Sequence, residues 1–208
     1  MRLNFLGFAL VSALLLAGCI SDTPDDNGVT ASTEKKESTT STIKMNEVVV
    51  FETSEGVFEV ELYRDKAPIT VENFLSYVDD GSFDGTVFHR VIDGFMIQGG
   101  GFTPDGSQKK THAPIKLESD NGLLNLNGTI AMARTMVPDS ATSQFFINVA
   151  DNSFLDYKPN NPGYAVFGKV TSGMDKVMRI SKVERGAKGQ HQDWPLEDIV
   201  IKKAYVKE

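Results

Sequence analysis

One arginine, Arg90, lies within a mainly apolar stretch of the sequence, residues 86–102. Residues 87–92 alternate in a way that suits a strand with two different faces, and an Asp-Gly turn follows at 93–94. We therefore predict a hairpin with a guanidinium on one face. The side chains placed beside that guanidinium are Phe95, Met96 and Gln98. A mainly apolar surface with a few polar groups at its edge is typical of a ligand-binding site. The stretch alone also allows an ordinary hairpin whose arginine snorkels to solvent.

Two later runs place further polar groups among apolar ones. Residues 129–134 are small and apolar and end in Arg134, and residues 143–149 predict a buried strand that contains Gln144 and Asn148. Buried amides usually satisfy backbone groups, and that alternative stays open for Asn148.

Several other chemistries lack their sequence signals. The three histidines are scattered with no cysteine nearby, so a zinc site is not expected. No nucleophile elbow occurs, and glycines 99–101 lack the lysine and following helix of a nucleotide-binding loop. We expect neither a metal nor another cofactor.

The elements that must position these groups are mostly short strands. Strands are expected near residues 47–51, 57–63, 86–92, 95–98, 129–134, 143–149, 164–170 and 199–206. One helix is expected from Ala67 to Asp80 and a second over residues 173–180. Because short loops rather than helical crossovers join most strands, a mainly antiparallel closed sheet is favoured over a doubly wound fold.

The N-terminal 18 residues have the layout of an export signal. Arg2 is their only charge, and an apolar run extends over residues 5–16. The run ends in Leu-Ala-Gly before Cys19, the only cysteine, which resembles the lipobox of prokaryotic lipoproteins. We therefore expect a signal peptide at 1–18 and lipid attachment at Cys19; a chance cysteine is the alternative.

Residues 19–45 are rich in Ser, Thr, Asp, Glu and Lys, which predicts a disordered tether before a folded domain at 46–208. The precursor carries a net charge of −7. No basic stripe occurs, so neither nucleic-acid binding nor electrostatic adhesion to a membrane is expected.

Four segments together resemble the cyclophilin family of peptidyl-prolyl cis/trans isomerases, in order and approximate spacing. They are 88–90 (Phe-His-Arg) with 94–100 (Gly-Phe-Met-Ile-Gln-Gly-Gly), 132–134 (Met-Ala-Arg), 143–147 (Ser-Gln-Phe-Phe-Ile) and 166–170 (Val-Phe-Gly-Lys-Val). The resemblance covers about residues 46–206 and is of the bacterial type. It implies a mainly β fold, an eight-stranded antiparallel closed barrel capped by two α-helices.

The resemblance also implies roles for individual residues. It assigns catalysis to Arg90 with Gln98. The residues assigned to substrate binding are Phe95, Met96, Phe146 and Leu155 as walls of a proline pocket, Gln144 beside the pocket, and Ala133 and Arg134 along the substrate backbone. Asparagine is common in the family at the position of Arg134.

Two residues at the predicted rim depart from many eukaryotic members. Phe154 replaces a tryptophan and Tyr164 replaces a histidine. We expect both to contact substrate. Because Phe154 lacks the indole N–H donor, we expect weak inhibition by cyclosporin while proline binding persists.

The predicted function is isomerisation of Xaa-Pro bonds during folding of exported proteins. The predicted location is the cell envelope, with the membrane reached through lipidated Cys19. The expected partners are proline-containing segments, and a monomer is expected. One alternative is a tethered binding module for such segments with little turnover, and another is a purely structural envelope lipoprotein.

Overall fold

The computed structural model describes residues 46–208 of the chain. The predicted signal peptide, Cys19 and the predicted tether lie outside the described residues. The proposed domain boundaries therefore stay predictions.

The described part contains two α-helices and ten strands. In chain order these are β1 (Val48–Thr53), β2 (Gly56–Leu62), α1 (Pro68–Asp79), β3 (Arg90–Ile92), β4 (Met96–Gly99), β5 (Thr129–Met132), β6 (Phe145–Asn148), β7 (Val166–Ser172), α2 (Met174–Ser181), β8 (Arg185–Lys188), β9 (His191–Pro195) and β10 (Ile201–Val206). Short 3-10 helices occupy Pro138–Ser140 and Ser153–Leu155. The two helices and the mainly β character are confirmed, and the β8–β9 hairpin is additional to the prediction.

Eight strands form one antiparallel sheet in the order β10-β1-β2-β7-β5-β6-β4-β3. Strands β1 and β2 are adjacent in sequence and paired, from Val48 with Glu61 to Thr53 with Gly56. Strand β6 pairs with both β4 and β5. This arrangement brings the arginine-bearing hairpin and the two later apolar strands side by side.

The sheet curls into a half-barrel, so the predicted closed barrel is wrong in this respect. The terminal strands β3 and β10 are not paired in residues 46–208, where a single bridge joins Val87 to Val200. Residues 85–88, which precede β3, lie beside the start of β10 instead. The amide of Phe88 donates to the carbonyl of Ile199 at 3.0 Å and the amide of Ile201 donates to the carbonyl of Thr86 at 2.8 Å, whereas β3 begins only at Arg90.

The main core is formed by the sheet together with buried residues of both α1 and α2. Its aromatic members are all fully buried: Tyr77 and the phenylalanines Phe51, Phe58, Phe74, Phe83, Phe88, Phe145 and Phe167. Phe51 stacks on Phe58 with ring centres 4.9 Å apart. Phe74 of α1 lies 5.0 Å from Phe167. Burial of each such ring stabilises the fold by roughly 1.5 to 3 kcal/mol.

A second, smaller apolar cluster consists of Met96, Ala131, Phe146 and Val166, from four different strands. It is separate from the main core, and Phe95, Leu155 and Tyr164 are among the partly buried residues that pack against it. Because the cluster is built on neighbouring strands, it gives a rigid apolar floor to one side of the sheet.

The helix α1 begins with Pro68, whose missing N–H and fixed φ suit the first helical turn. Its buried face includes the predicted stripe of Val71, Phe74, Leu75 and Val78. Neither described helix is both long and apolar enough to cross a membrane.

Candidate active site

A cleft of about 380 Å³ opens over the small apolar cluster. Its lining residues are His89, Arg90, Phe95, Met96, Gln98, Phe102, Ala133, Arg134, Gln144, Phe146, Leu155, Tyr164 and His191. All the predicted catalytic and substrate-binding residues except Phe154 are therefore in one place. Their contributions to catalysis or binding remain predictions.

Arg90 stands at the open edge of the cleft. It is the first residue of β3 and pairs in register with Gln98 of β4. Its side chain is 44% exposed, and its Cζ atom lies 5.9 Å from the centre of the Phe95 ring. The guanidinium thus borders an apolar surface while remaining accessible to a bound peptide.

The floor of the cleft is apolar and tightly held. Met96 and Phe146 are only 2% and 4% exposed. The ring of Phe146 meets that of Tyr164 edge-on, with centres 5.5 Å apart. Leu155 and Phe95 pack against the same cluster. Such a floor can hold a small apolar ring but offers it no charge.

A pair of amides forms the polar side of the cleft. Gln98 Nε2 donates to Gln144 Oε1 at 2.9 Å, which fixes both side chains. Gly101 makes room for this pair, because a Cβ at that position lies 2.6 Å from Cγ of Gln144. The amides retain further donor and acceptor capacity for a peptide backbone.

Arg134 is held by the protein itself. Its Nε donates to the carbonyl of Gly163 at 2.9 Å and its Nη1 to that of Thr135 at 2.8 Å. Its Cζ also lies 4.6 Å from the centre of the Tyr164 ring. These contacts tie the rim residue Tyr164 to the end of β5. Beside it, the amide of Ala133 donates to the carbonyl of Gln144 at 2.9 Å.

Phe154 does not line the cleft, in contrast to the other predicted binding residues. It belongs to the 3-10 helix Ser153–Leu155 and is 60% exposed. Its ring lies 5.5 Å from that of Phe95. It therefore supports the outer side of Phe95 and can contact only a ligand that extends past the cleft.

Sequence reasoning missed three lining residues: His89, Phe102 and His191. His89 and Phe102 fall within the arginine-bearing stretch, so their closeness to Arg90 in the sequence could have indicated that they line the same site. His191 lies on β9, whose polar sequence gave no strand signal. Its ring lies 4.6 Å from Phe102 and 5.4 Å from His89.

His89 is held neutral at ordinary pH. Burial lowers its pKa from 6.5 to about 4, and the nearby His191 and Arg90 lower it as well. The side chain is 2% exposed, and its Nδ1 has no hydrogen-bond partner within residues 46–208. His89 therefore acts as an aromatic wall next to Arg90 and adds no positive charge there.

Acidic side chains are not gathered at the cleft in a metal-binding arrangement. Over residues 46–208, no three His, Cys, Asp or Glu side chains are grouped so that they could hold a metal ion.

The curled antiparallel sheet, the two helices and an apolar cleft lined by Arg90 and Arg134 accompany a family match that places the chain in the class of the peptidyl-prolyl cis/trans isomerases. The chain belongs to the cyclophilin family. Residues 48–206 match the family described as "Cyclophilin type peptidyl-prolyl cis-trans isomerase/CLD". The isomerase part of the resemblance is thereby confirmed, whereas the lipoprotein signal is not tested by this match.

Similar proteins include bacterial isomerases. Peptidyl-prolyl cis-trans isomerase A of Dickeya dadantii is 55% identical over 158 residues, which cover 76% of this chain and 83% of that protein. Peptidyl-prolyl cis-trans isomerase B of Escherichia coli is 52% identical over 164 residues, covering 77% and 100%.

A solved structure is also similar. It is the cyclophilin type isomerase of Cryptosporidium parvum in the presence of the dipeptide Ala-Pro. Its TM-score is 0.66 at 28% identity, with 77% of this chain and 99% of that chain covered.

Proposed function

We propose that this protein catalyses cis/trans isomerisation of Xaa-Pro bonds in exported proteins at the cell envelope. The isomerase class follows from family membership. The exported substrates, the location and the roles of single residues are the proposal. The observation that carries it is the position of Arg90 at the edge of an apolar cleft floored by Met96 and Phe146.

The cleft suits a proline ring. A pyrrolidine ring is small, apolar and without an N–H, so it needs an apolar floor and no hydrogen-bond acceptor. Phe146, Met96 and Leu155 offer that floor. The use of the dipeptide Ala-Pro with the Cryptosporidium parvum relative supports a proline-containing ligand here.

The barrier to be lowered comes from amide resonance. It is about 20 kcal/mol, so the unassisted step takes tens to hundreds of seconds. In the twisted transition state the resonance is lost and the proline nitrogen has a free lone pair. A group that interacts better with this twisted state than with either planar state accelerates the reaction.

Arg90 is the group that can make this distinction. Its guanidinium donates N–H groups and cannot accept a proton, so it interacts with the freed lone pair while the pocket grips the ring. Gln98 and Gln144 hold the adjoining backbone, with Ala133 and Arg134 beside them. Lowering the barrier by about 5 to 7 kcal/mol accelerates the step roughly 10⁴ to 10⁵-fold.

The envelope location is supported by the N-terminal sequence. An apolar segment ends in Leu-Ala-Gly before the single Cys19. Cleavage before Cys19 and its acylation would anchor the chain, and residues 19–45 would separate the anchor from the catalytic domain.

The test is catalysis of a proline-limited refolding reaction. A secreted protein whose slow phase is limited by a proline bond is refolded with catalytic amounts of the detergent-purified full-length protein. We expect acceleration of that phase and of a proline tetrapeptide in a protease-coupled assay. Saturable peptide binding without acceleration would instead favour the binding module, and absence of both would refute the proposal.

A further inference from the structure

The β8–β9 hairpin brings a carboxylate to Arg90, the proposed catalytic arginine. Its two strands are joined through Gly189, which has a φ of +59°, and β9 packs against β3. Asp193 in the middle of β9 therefore lies beside the first residue of β3. Its Oδ2 is 3.8 Å from Nε of Arg90.

The same carboxylate also faces a second arginine. Oδ1 of Asp193 is 3.3 Å from Nε of Arg185, on the neighbouring strand β8. Asp193 thus stands between two guanidinium groups, one on the hairpin and one at the cleft. Removal of its charge would deprive both guanidinium groups of the carboxylate that faces them.

The contact is poorly suited to stabilise the fold. The side chains of Arg90 and Asp193 are 44% and 30% exposed, and ion pairs of this exposure contribute little to folding because water screens them. The geometry of the contact is better suited to orienting the guanidinium of Arg90. The contact is on the Nε side and, at 3.8 Å, is an ion pair rather than a hydrogen bond; it is the only salt bridge that Arg90 makes within residues 46–208.

We propose that Asp193 is a positioning residue that orients the guanidinium of Arg90 along the edge of the cleft. Its charge attracts the Nε side and leaves the two terminal nitrogens available to the twisted amide. This inference rests on the proposed catalytic role of Arg90. It assigns to the β8–β9 hairpin a part in catalysis, through the orientation of a residue on another sheet.

The primary test compares Asp193→Asn with the unmodified full-length protein. The substitution keeps the size of the side chain and removes its charge. We expect kcat to fall about tenfold, within the ~10²-fold that a misplaced catalytic group can cost. KM should stay within about twofold, because Arg90 matters chiefly in the twisted state.

Two further variants separate orientation from general charge effects. Glu184→Gln removes one negative charge from an exposed position next to the same hairpin and should leave kcat unchanged. Asp193→Glu keeps the charge and should retain most of the kcat that Asp193→Asn loses. The ¹H–¹⁵Nε resonance of Arg90 should shift or broaden in Asp193→Asn and keep its position in Glu184→Gln.

Trp194 reports on the hairpin itself. It is the only tryptophan of the chain, lies next to Asp193 on β9 and is 1% exposed. Unchanged Trp194 emission in Asp193→Asn, together with the kcat loss, supports positioning. A kcat loss with altered emission would assign the effect to hairpin folding and overturn the proposal.

The remaining outcomes separate the positioning role of Asp193 from the proposed function. Normal kcat in Asp193→Asn, or an equal loss in Glu184→Gln, overturns the positioning role while leaving the isomerase function intact. If the unmodified protein has no turnover, or if Arg90→Ala turns over normally, the proposed function fails instead. The Arg90 resonance then tests the orienting contact alone, and an unshifted resonance in Asp193→Asn refutes it.

Discussion

Arg90 borders the cleft with its side chain 44% exposed, whereas the floor residue Phe146 is almost fully buried. This contrast separates two kinds of contribution at the scale of single residues. A half-exposed charge can act on a reaction at little cost to folding. A buried ring shapes both the pocket and the fold around it.

Phe146→Ala should therefore weaken binding as well as stability. Removal of a buried phenylalanine typically destabilises a protein by about 3 to 5 kcal/mol, and here it also empties the proline pocket. We expect KM for a proline peptide to rise with the loss of that contact surface. The measurements are steady-state kinetics and urea unfolding.

Phe154→Ala is the comparison for this prediction, because Phe154 is 60% exposed and outside the cleft lining. Its effects on KM and stability should be clearly smaller. Equal effects of the two substitutions would show that Phe146 is not the floor of the binding site.

His89 should make stability depend on pH. In the unfolded chain it takes up a proton near pH 6.5, whereas in the folded protein its pKa is lowered to about 4. The unfolded state therefore binds more protons between these values, and stability present above pH 6.5 is lost as the pH falls toward 4. The full shift corresponds to up to about 3 kcal/mol.

Urea unfolding at several pH values in this window tests the prediction. His89→Gln should remove this part of the pH dependence, whatever its effect at neutral pH. The control is His112→Gln, because the side chain of His112 is 46% exposed. A slope that is the same in the unmodified protein and in His89→Gln would contradict the assignment.

At the scale of elements, apolar periodicity correctly predicted the strands and helices whose buried faces it describes. The alternating apolar side chains of β2 and the apolar stripe of α1 are buried as expected. The β8–β9 hairpin has no such pattern, because most of its residues are polar or charged. It is held by pairing and by burial of Trp194, and strand preference of this kind depends on surroundings that the sequence alone does not show.

Gly163 lies between two cleft residues in the sequence: it directly precedes Tyr164 and follows the 3-10 helix that ends at Leu155. It has a φ of +61°, and a Cβ there would lie 2.6 Å from the backbone nitrogen of Tyr157. Gly163→Ala should therefore destabilise the fold by more than the roughly 1 to 2 kcal/mol of left-handed backbone strain. It should also raise KM by displacing Leu155 and Tyr164.

Gly106→Ala is the matched control. Its φ is +84°, but nothing lies within 4 Å of a Cβ at that position. Only the backbone strain should appear in its thermal unfolding, with KM unchanged. If both alanine variants lose the same stability, the close approach at Gly163 has no energetic weight.

At the scale of the whole molecule, the predicted location depends on residues 1–19. The net charge of −7 gives no electrostatic attraction to anionic lipid. A lipid on Cys19 is then the means of membrane attachment that the sequence offers. More than one acyl chain is needed for firm anchoring.

We therefore expect that the mature protein in its native host begins at Cys19 and carries acyl chains. Mass spectrometry of the intact purified protein tests this, with Cys19→Ser as the control that should lose both cleavage and membrane fractionation. An unmodified Cys19 or a retained Met1 in the native protein would contradict it.

The sequence predicted most of the candidate site, because its lining residues fall in runs with strong local patterns and in motifs of the family. Asp193 and His191 could not be found in that way. They reach Arg90 and Phe102 only through the packing of the hairpin against β3. The prediction of a closed barrel was wrong for a related reason. Both depend on where the chain goes between elements.

The most direct measurement of the central claim is exchange NMR of a proline peptide with Arg90→Ala. The claim is that the guanidinium stabilises the twisted amide. Arg64→Ala is the control, since Arg64 pairs with Glu47, and neither residue lines the cleft.

Loss of a contact to a charged group, worth about 1.5 to 3 kcal/mol, predicts at least a tenfold to hundredfold fall in the catalysed exchange rate. Peptide binding and thermal stability should change little, and Arg64→Ala should exchange normally. Unchanged exchange in a folded Arg90→Ala protein would contradict the account.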